Sequence, residues 1–471
     1  METDTIAAIA TAVSDSGIGI VRISGEDAIE VADRIYRAKN KKLSQVPSHT
    51  IHYGYIYDED ELIDEVMVVV MKAPNTYTRE NTVEIDCHGG ILVMNRILEV
   101  VLKNGCRLAE PGEFTKRAFL NGRIDLSKAE AVMDLIHAKN EFALKASVKQ
   151  LKGAVAKKVH ELRDELIYEI AYIESALDDP EHISLEGFHE RLEEKTDKIS
   201  ATLKKLIDSA DNGKMLKDGI NTVIVGKPNA GKSSLLNALL GEDKAIVTSI
   251  AGTTRDVLEE NIRLHGIGLN IIDTAGIRDT EDIVEKIGVE KAFQYAGNAD
   301  LIIYVVDSSK PLDENDEKII SLIKDKKVIV LLNKTDLESV VDEREIKAYF
   351  ARAYEKLEEL PYKDEKLTVL RISAKESTGI EAFEQTIKDM FFAGKIFTND
   401  ELYITNKRHK EALEEAYESM QMVKKSLADD MPEDFYSIDL MSAYASLGKI
   451  IGEEVDDDLV EEIFSKFCMG K

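Results

Sequence analysis

The most restrictive feature of this sequence is the run from Thr222 to Ser233. Thr222-Val223-Ile224-Val225 is short, apolar and β-branched, which favours a buried strand. It leads straight into Gly226-Lys227-Pro228-Asn229-Ala230-Gly231-Lys232-Ser233, and a helix is expected from about Ser234. In that strand–loop–helix setting the pattern G-x-x-x-x-G-K-[ST] builds an anion cradle. The glycines let backbone N–H groups curl around phosphate oxygens, and the helix N-terminus adds a favourable dipole. Lys232 is expected to reach the outer phosphates of a nucleotide and Ser233 to bind Mg2+, with Asn229, Ala230, Gly231 and Ser234 completing the loop.

Three more motifs follow, each behind an apolar strand. Ile271-Ile272 runs into Asp273-Thr274-Ala275-Gly276, where Asp273 would hold Mg2+ through water and Gly276 would offer its N–H to a γ-phosphate. Upstream lies Thr248-Ser249-Ile250-Ala251-Gly252-Thr253-Thr254, in which Thr254 or Thr253 supplies a second hydroxyl to Mg2+. An order–disorder change there would report the γ-phosphate. The strand Val328 to Leu332 leads to Asn333-Lys334-Thr335-Asp336. A carboxylate at Asp336 accepts from guanine N1–H and the 2-amino group together; adenine lacks that pair and would strand the carboxylate. Ser373-Ala374-Lys375 then offers a backbone donor to guanine O6. Together the motifs specify GTP. Directly after Asp-Thr-Ala-Gly stands Ile277, which neither donates nor accepts, so the attacking water must be oriented from elsewhere. Glu281, Asp282, Glu285 and Glu290 are the candidates, a plain solvated acidic surface being the other reading.

The texture on either side differs. Residues 1 to about 120 mix strand-like runs (Gly19 to Ile23, Glu65 to Val70) with amphipathic helices (Asp27 to Arg37, Ile91 to Lys103), the pattern of a small α+β domain. From about 121 the chain reads helical. Val148, Leu151, Val155, Val159, Leu162, Leu166, Ile170, Ile173 and Leu177 repeat every eleven residues, which predicts one long straight helix with a single buried seam. Its expected partners are the seams Leu413, Ala416, Met420, Val423, Leu427 and Val460, Ile463, Phe464, Phe467. The expected architecture is therefore an α/β P-loop domain (217–380) inserted into an all-α helical domain (121–216 plus 381–471), preceded by an α+β domain (1–120). Gly213 and Gly219 mark the expected entry hinge.

A formal net charge of −28 argues against non-specific coating of nucleic acid or anionic membrane. Contact with RNA then needs a local basic patch, for which Lys145, Lys149 and Lys152 at helical spacing are a modest candidate, or a partner. Cys87, Cys106 and Cys468 form no disulfide framework, apolar runs extend to six residues at most, and no targeting pattern follows Met1. The expected location is the cytoplasm.

Taken with the single inserted P-loop module, three N-terminal segments and the last eight residues resemble the MnmE (TrmE) family of GTPases that modify the wobble uridine of tRNA. The segments are Gly17-Ile18-Gly19-Ile20-Val21-Arg22-Ile23-Ser24-Gly25, Val83-Glu84-Ile85-Asp86-Cys87-His88-Gly89-Gly90, the run Pro111 to Arg123, and Phe464-Ser465-Lys466-Phe467-Cys468-Met469-Gly470-Lys471. The resemblance implies that the N-terminal domain binds folate and dimerises. It implies K+ held by Asn229 and the backbone around Thr248, Ile250 and Thr253, where other GTPases use an arginine finger, and Glu285 as the residue that positions water. It implies a folate site at Arg22, Glu84, Arg123 and Lys471, and a reactive thiol at Cys468, for which a small packing residue is the alternative. A carboxylate suits the adjacent N–H donors of a pterin and a cation suits a folate glutamate tail. Three places depart from the family: Ala12 to Ser16 is poorer in Gly and Pro, Thr78-Arg79-Glu80-Asn81 replaces a more usual Thr-Gly-Glu-Asp, and Ala176 to Glu186 lacks an Asp-Phe-Pro-Glu-Glu run.

The implied function is a K+-dependent, Mg2+-dependent GTP hydrolase acting as a homodimer with an FAD-containing partner of the MnmG/GidA type in a heterotetramer. It would place an aminomethyl or carboxymethylaminomethyl group on C5 of the wobble uridine of certain tRNAs. The carbon would come from 5,10-methylene- or 5-formyl-tetrahydrofolate, and FAD and NADH chemistry would reside in the partner. The alternatives are a ribosome-assembly GTPase switch without covalent chemistry, and a folate-dependent one-carbon transferase for a small substrate.

Overall fold

The computed structural model describes residues 4–38, 42–184, 186–240, 259–264, 267–272, 299–324, 326–354, 367–392, 402–455, 457–468 and 470. They fall into two compact units. One comprises Met1–His137, Ser147–Lys204 and Glu411–Lys471; the other comprises Ala138–Ala146 and Lys205–Lys410.

The first unit opens on a sheet of β1 (Ile6–Ile9), β2 (Ser16–Ser24), β3 (Tyr36–Arg37), β4 (Thr50–Asp58), β5 (Glu61–Met71), β6 (Thr82–Gly89) and β7 (Arg107–Leu108), in the order β3-β4-β5-β6-β2-β1-β7. Its pairs are antiparallel except β1 with β7. Alternation sends Val21, Ile23, Val66, Val68, Val70, Val83 and Ile85 to one face. There they pack on α1 (Ala28–Ile35) and α2 (Ile91–Lys103) through Val31, Ile35, Met94, Ile97 and Val101. The helix α1 stops short of Arg37 because Tyr36 and Arg37 leave it to pair with Ile56 and Tyr55. On the other face, register aligns Tyr53, Met67, Asp86 and Ile20 in one row and Ile51, Val69, Glu84 and Arg22 in the next.

Helices follow: α3 (Glu113–Leu120), α4 (Leu126–Ile136), α5 (Glu141–Leu151), α6 (Ala154–Asp178) and α7 (Phe188–Asp218). The single long helix expected over 148–177 is in fact α5 and α6. Gly153 separates them at φ +87, a left-handed conformation that only glycine adopts without strain. The apolar period gave no sign of the break because Leu151 and Val155 keep their four-residue step across it. From Val155 to Ile173 the seam is buried as expected, whereas Leu177 is exposed.

The bundle is completed by α12 (Lys407–Ala428), α13 (Glu433–Ile451) and α14 (Asp457–Ser465). The five seam residues of α12 are buried. The chief partner of α6, however, is α13, through Tyr436, Leu440, Ala443, Leu447 and Ile450, a helix the periodicity did not single out. Phe435, Ile438 and Met441 are apolar yet exposed on it, which blurs its stripe. Val460, Phe464 and Phe467 pack with Leu126 and Ala129, with Phe119 against them, so the terminal segment lies on α3 and α4.

The second unit carries β8 (Ile220–Val225), β9 (Glu259–Leu264), β10 (Ile267–Ile272), β11 (Leu301–Asp307), β12 (Val328–Asn333) and β13 (Thr368–Arg371), in the order β13-β12-β11-β8-β10-β9. All pairs are parallel except β9 with β10. One face packs on α8 (Lys232–Leu240) and α11 (Ile380–Phe392), the other on α9 (Glu314–Ile323) and α10 (Glu343–Tyr354). This is the doubly wound fold, and its switch point lies at the carboxyl end of β8. The helix α7 runs unbroken through Gly213, where an added Cβ would lie 2.1 Å from the Ile404 carbonyl oxygen, and ends at Gly219, φ +88. Close approach thus accounts for Gly213, and helix termination for Gly219.

Candidate functional site

Four loops leave the carboxyl ends of neighbouring parallel strands and meet. The loop after β8 turns at Gly226 (φ +155), Asn229 (φ +61) and Gly231 (φ +98) before α8 begins at Lys232. A Cβ on Gly226 would lie 2.3 Å from the Val305 carbonyl oxygen, and one on Gly231 would lie 2.1 Å from Asn333 Nδ2, so neither place admits a side chain. Lys232 Nζ donates to the carbonyls of Gly226 (2.8 Å) and Lys227 (2.9 Å), which holds the ammonium over its own loop. Ala230 is buried, while Asn229, Ser233 and Ser234 are exposed, the two serines at the start of α8.

The base-side loops are tied to this cradle by Asn333. Its buried amide donates from Nδ2 to the Ala230 carbonyl (2.9 Å) and accepts at Oδ1 from the Ala374 N–H (3.0 Å). One side chain thus sets the spacing of three of the four sequence motifs. Asp336 is exposed, and Ser373 Oγ donates to its Oδ1 at 2.6 Å, which holds the carboxyl below the usual carboxylate range. Ser373 is itself pinned by backbone bonds to and from Thr378, and Lys375 is exposed beside it. Lys334 Nζ pairs with Asp307 Oδ2 at 2.7 Å.

Sequence reading missed Asp307 and a second brace. Lys227 Nζ donates to Asp313 (2.9 Å) and to buried Asp316 (2.6 Å), whose other oxygen accepts from the Tyr304 hydroxyl at 2.7 Å. The Asp313/Asp316 capping box at the start of α9 was a readable signal for the helix, though not for its lysine partner. Thr248, Ser249, Ile250, Ala251, Gly252, Thr253, Thr254, Asp273, Thr274, Ala275, Gly276, Glu285 and Lys471 lie outside the described residues.

A second constellation sits in the first unit. Arg22 and Glu84 face each other across β2 and β6, with Arg22 Nε donating to Glu84 Oε1 at 2.7 Å. The guanidinium carbon of Arg22 lies 5.6 Å from the Phe114 ring centroid and 5.9 Å from that of Tyr77, and Arg123 lies 4.7 Å from Tyr77. Arg22 Nη1 also donates to the Gly470 carbonyl (3.2 Å), and the Gly112 N–H to that of Cys468 (3.3 Å). Two left-handed glycines make this docking possible. A Cβ on Gly112 would lie 2.6 Å from the Phe464 oxygen, and one on Gly470 would lie 2.4 Å from the Ile9 oxygen. Cys468 is exposed. Cys87 is buried and Cys106 partly so, and burial pushes their thiols up to about 11 and about 12. Asp86, two residues on from Glu84, was not singled out. Burial and the Glu84 charge push its carboxyl up, and its Oδ1 has no hydrogen-bond partner among the described residues.

The family descriptions that match are the MnmE helical domain, over residues 126–468, and the GTP-binding protein TrmE N-terminus, over residues 5–123. A tRNA modification GTPase MnmE from Lachnoclostridium phytofermentans is 59% identical over 473 residues, covering 100% of both chains. The chain belongs to the MnmE family. Its Clostridioides difficile relative, also a tRNA modification GTPase MnmE, is 49% identical over 99% of each chain. Among solved structures, a single-residue variant of Era from Aquifex aeolicus, bound to GDP and aluminium fluoride, is 29% identical, covering 43% of this chain and 67% of that one, with a TM-score of 0.26. The resemblance carried by the glycine-rich, Arg22 and Cys468 segments is therefore borne out. The MnmE departure at Arg79 has a structural correlate: Arg79 stands at φ +63, where glycine would be unstrained.

Proposed function

We propose that this chain hydrolyses GTP in the service of tRNA modification. With an FAD-containing partner of the MnmG/GidA type, it adds an aminomethyl or carboxymethylaminomethyl group to C5 of a wobble uridine. The observation that carries the GTP half is the Asn333 amide, which ties the phosphate cradle at Ala230 to the base loop at Ala374. The tRNA half rests on the full-length likeness to tRNA modification GTPases.

In this reading Asp336, kept ionised by Ser373, accepts from guanine N1–H and the 2-amino group, and the Ala374 loop reads O6. Lys232 exchanges its loop carbonyls for the outer phosphate oxygens. Exposed Ser233, with Thr254 and Asp273, holds Mg2+. Asn229 and the backbone at Thr248, Ile250 and Thr253 hold K+. Both ions supply fixed positive charge that stabilises the phosphoryl-transfer transition state. Glu285 orients the attacking water.

The Arg22–Glu84 pocket fits a reduced folate. Glu84 keeps an oxygen beyond the one given to Arg22, two aromatic rings stand beside Arg22, and Arg123 is available to an anionic tail. Lys471 contributes its charge to folate binding and Cys468 its thiol. Folate supplies the one-carbon unit, while flavin and NADH chemistry are the partner's. The open sheet face bearing Ile51, Tyr53 and Met67 is the homodimer contact, and two such dimerised chains with two partners make the heterotetramer. The three-part division at 1–120, 121–216 plus 381–471, and 217–380, and the cytoplasmic location, belong to the same reading.

The decisive experiment is mass spectrometry of tRNA nucleosides from cells lacking the gene. Loss of C5-substituted wobble uridines, restored by the intact gene, is expected; an unchanged profile would remove the tRNA function and favour the ribosome-assembly switch. Restoration by Cys468→Ser as well would leave the function and remove the thiol role.

A further inference from the structure

Arg79 is an arginine in a conformation suited to glycine, at φ +63, and the structure holds it there. Its Nη1 donates to the Asn121 carbonyl at 2.8 Å, while Asn121 Nδ2 donates back to the Thr78 carbonyl at 2.7 Å. This reciprocal clamp fastens the 78–79 turn to the end of α3. It also brings the guanidinium beside Gly122, whose added Cβ would be 3.7 Å from Arg79 Nη1, and so next to Arg123. Arg123 and Arg22 both lie over Tyr77. Arg22 and Arg123 thus share one aromatic ring, and Arg79 stands beside the residue that precedes Arg123.

Arg22 is neutralised by Glu84, but no carboxylate forms an ion pair with Arg79 or Arg123 among the described residues. In a chain of net charge −28, carboxylates to neutralise them are abundant, so two neighbouring exposed arginines left unpaired form a local positive rim. One N–H of the Arg79 fork is committed to Asn121, and the rest of the fork remains for an acceptor.

We propose that Arg79 is a specificity-determining residue, selecting ligands whose tail carries several carboxylates in series, an oligoglutamate chain. The inference rests on the folate reading of the Arg22–Glu84 pocket. Glu84 and Arg22 take the ring, Arg123 takes the α- and γ-carboxylates of the first glutamate, and Arg79 takes a carboxylate further along. A monoglutamate ends at Arg123; a longer tail carries further carboxylates on to Arg79.

Calorimetric titration of the full chain with tetrahydrofolate monoglutamate and triglutamate tests this. Wild type is expected to bind the triglutamate about fivefold more tightly, in keeping with a part-exposed charge pair, and the ratio should shrink as salt is raised. Arg79→Gly, which also relieves the left-handed strain, should bring the ratio to about one. Arg79→Lys, with charge but no fork, should keep it above one. A ratio of one in wild type, or one unchanged in Arg79→Gly, would overturn the inference and leave the folate reading standing. Failure of wild type to bind either ligand would overturn both.

Discussion

Asn333 has no freedom to be anything else. It is buried, its donor and its acceptor are both used, and they are used on different loops. Asn333→Ala leaves two backbone groups unpaired and should cost about 2–3 kcal/mol of stability. It should also weaken GDP binding at least tenfold, measured by fluorescence titration; undiminished affinity would show that the two loops hold their spacing unaided. Asp307 carries a pH signature. Burial pushes its carboxyl up, and the hydrogen bonds from Lys334 and Ser309 outweigh it, so its pKa lies below the usual 3.8. Because folding lowers the pKa, the pair stabilises above that value, and the contribution is lost as pH falls through the lower folded value. Denaturation measured from about pH 5 down to about pH 2 should show this loss in wild type and a flatter profile in Asp307→Asn. The contiguous motifs were legible because backbone loops recognise phosphate and base with neighbouring residues. The pairs Asp307–Lys334 and Lys227–Asp316 were not, since strand order rather than spacing creates them.

The same contrast governs the elements. The α2 limits and the strands β2 and β5 could be read from periodicity, because each packs one face on a core. The helix α13 could not, since its exposed apolar residues mask the buried ones. Nor could the break at Gly153, whose evidence is a backbone angle. Gly153→Ala should lower stability by about 1 kcal/mol, seen as a reduced thermal midpoint. The docking of α14 is a stricter case. At Gly112 an added methyl meets the Phe464 carbonyl oxygen at 2.6 Å and the Phe467 Cβ at 2.7 Å. Gly112→Ala should release the terminal segment, so that carboxypeptidase trims it faster while circular dichroism is nearly unchanged. Equal trimming rates would mean that Phe464 and Phe467 hold the segment without the close approach.

At the scale of the molecule, one sheet face is covered by helices and the other carries Ile51, Tyr53 and Met67 at 63%, 57% and 45% exposure. Three exposed apolar side chains on adjacent rows of one face of an otherwise acidic chain are in keeping with the proposed homodimer contact. Met67→Glu should convert a dimer to a monomer in sedimentation velocity at micromolar concentration; a wild-type monomer would remove the proposed homodimer. Among the described residues no helix is long and apolar enough to cross a membrane. The hydrogen bond from Arg22 to the Gly470 carbonyl spans 448 positions of sequence. A ribosome elongating at about 5–20 residues per second needs on the order of half a minute or more to make the stretch between them. Through that interval Arg22 and Glu84 can already pair, but the terminal segment that Arg22 also bonds does not yet exist. A nascent chain stalled before residue 464 would therefore lack the Gly470 carbonyl that Arg22 reaches, and the contact between the two can form only after residue 470 has been added.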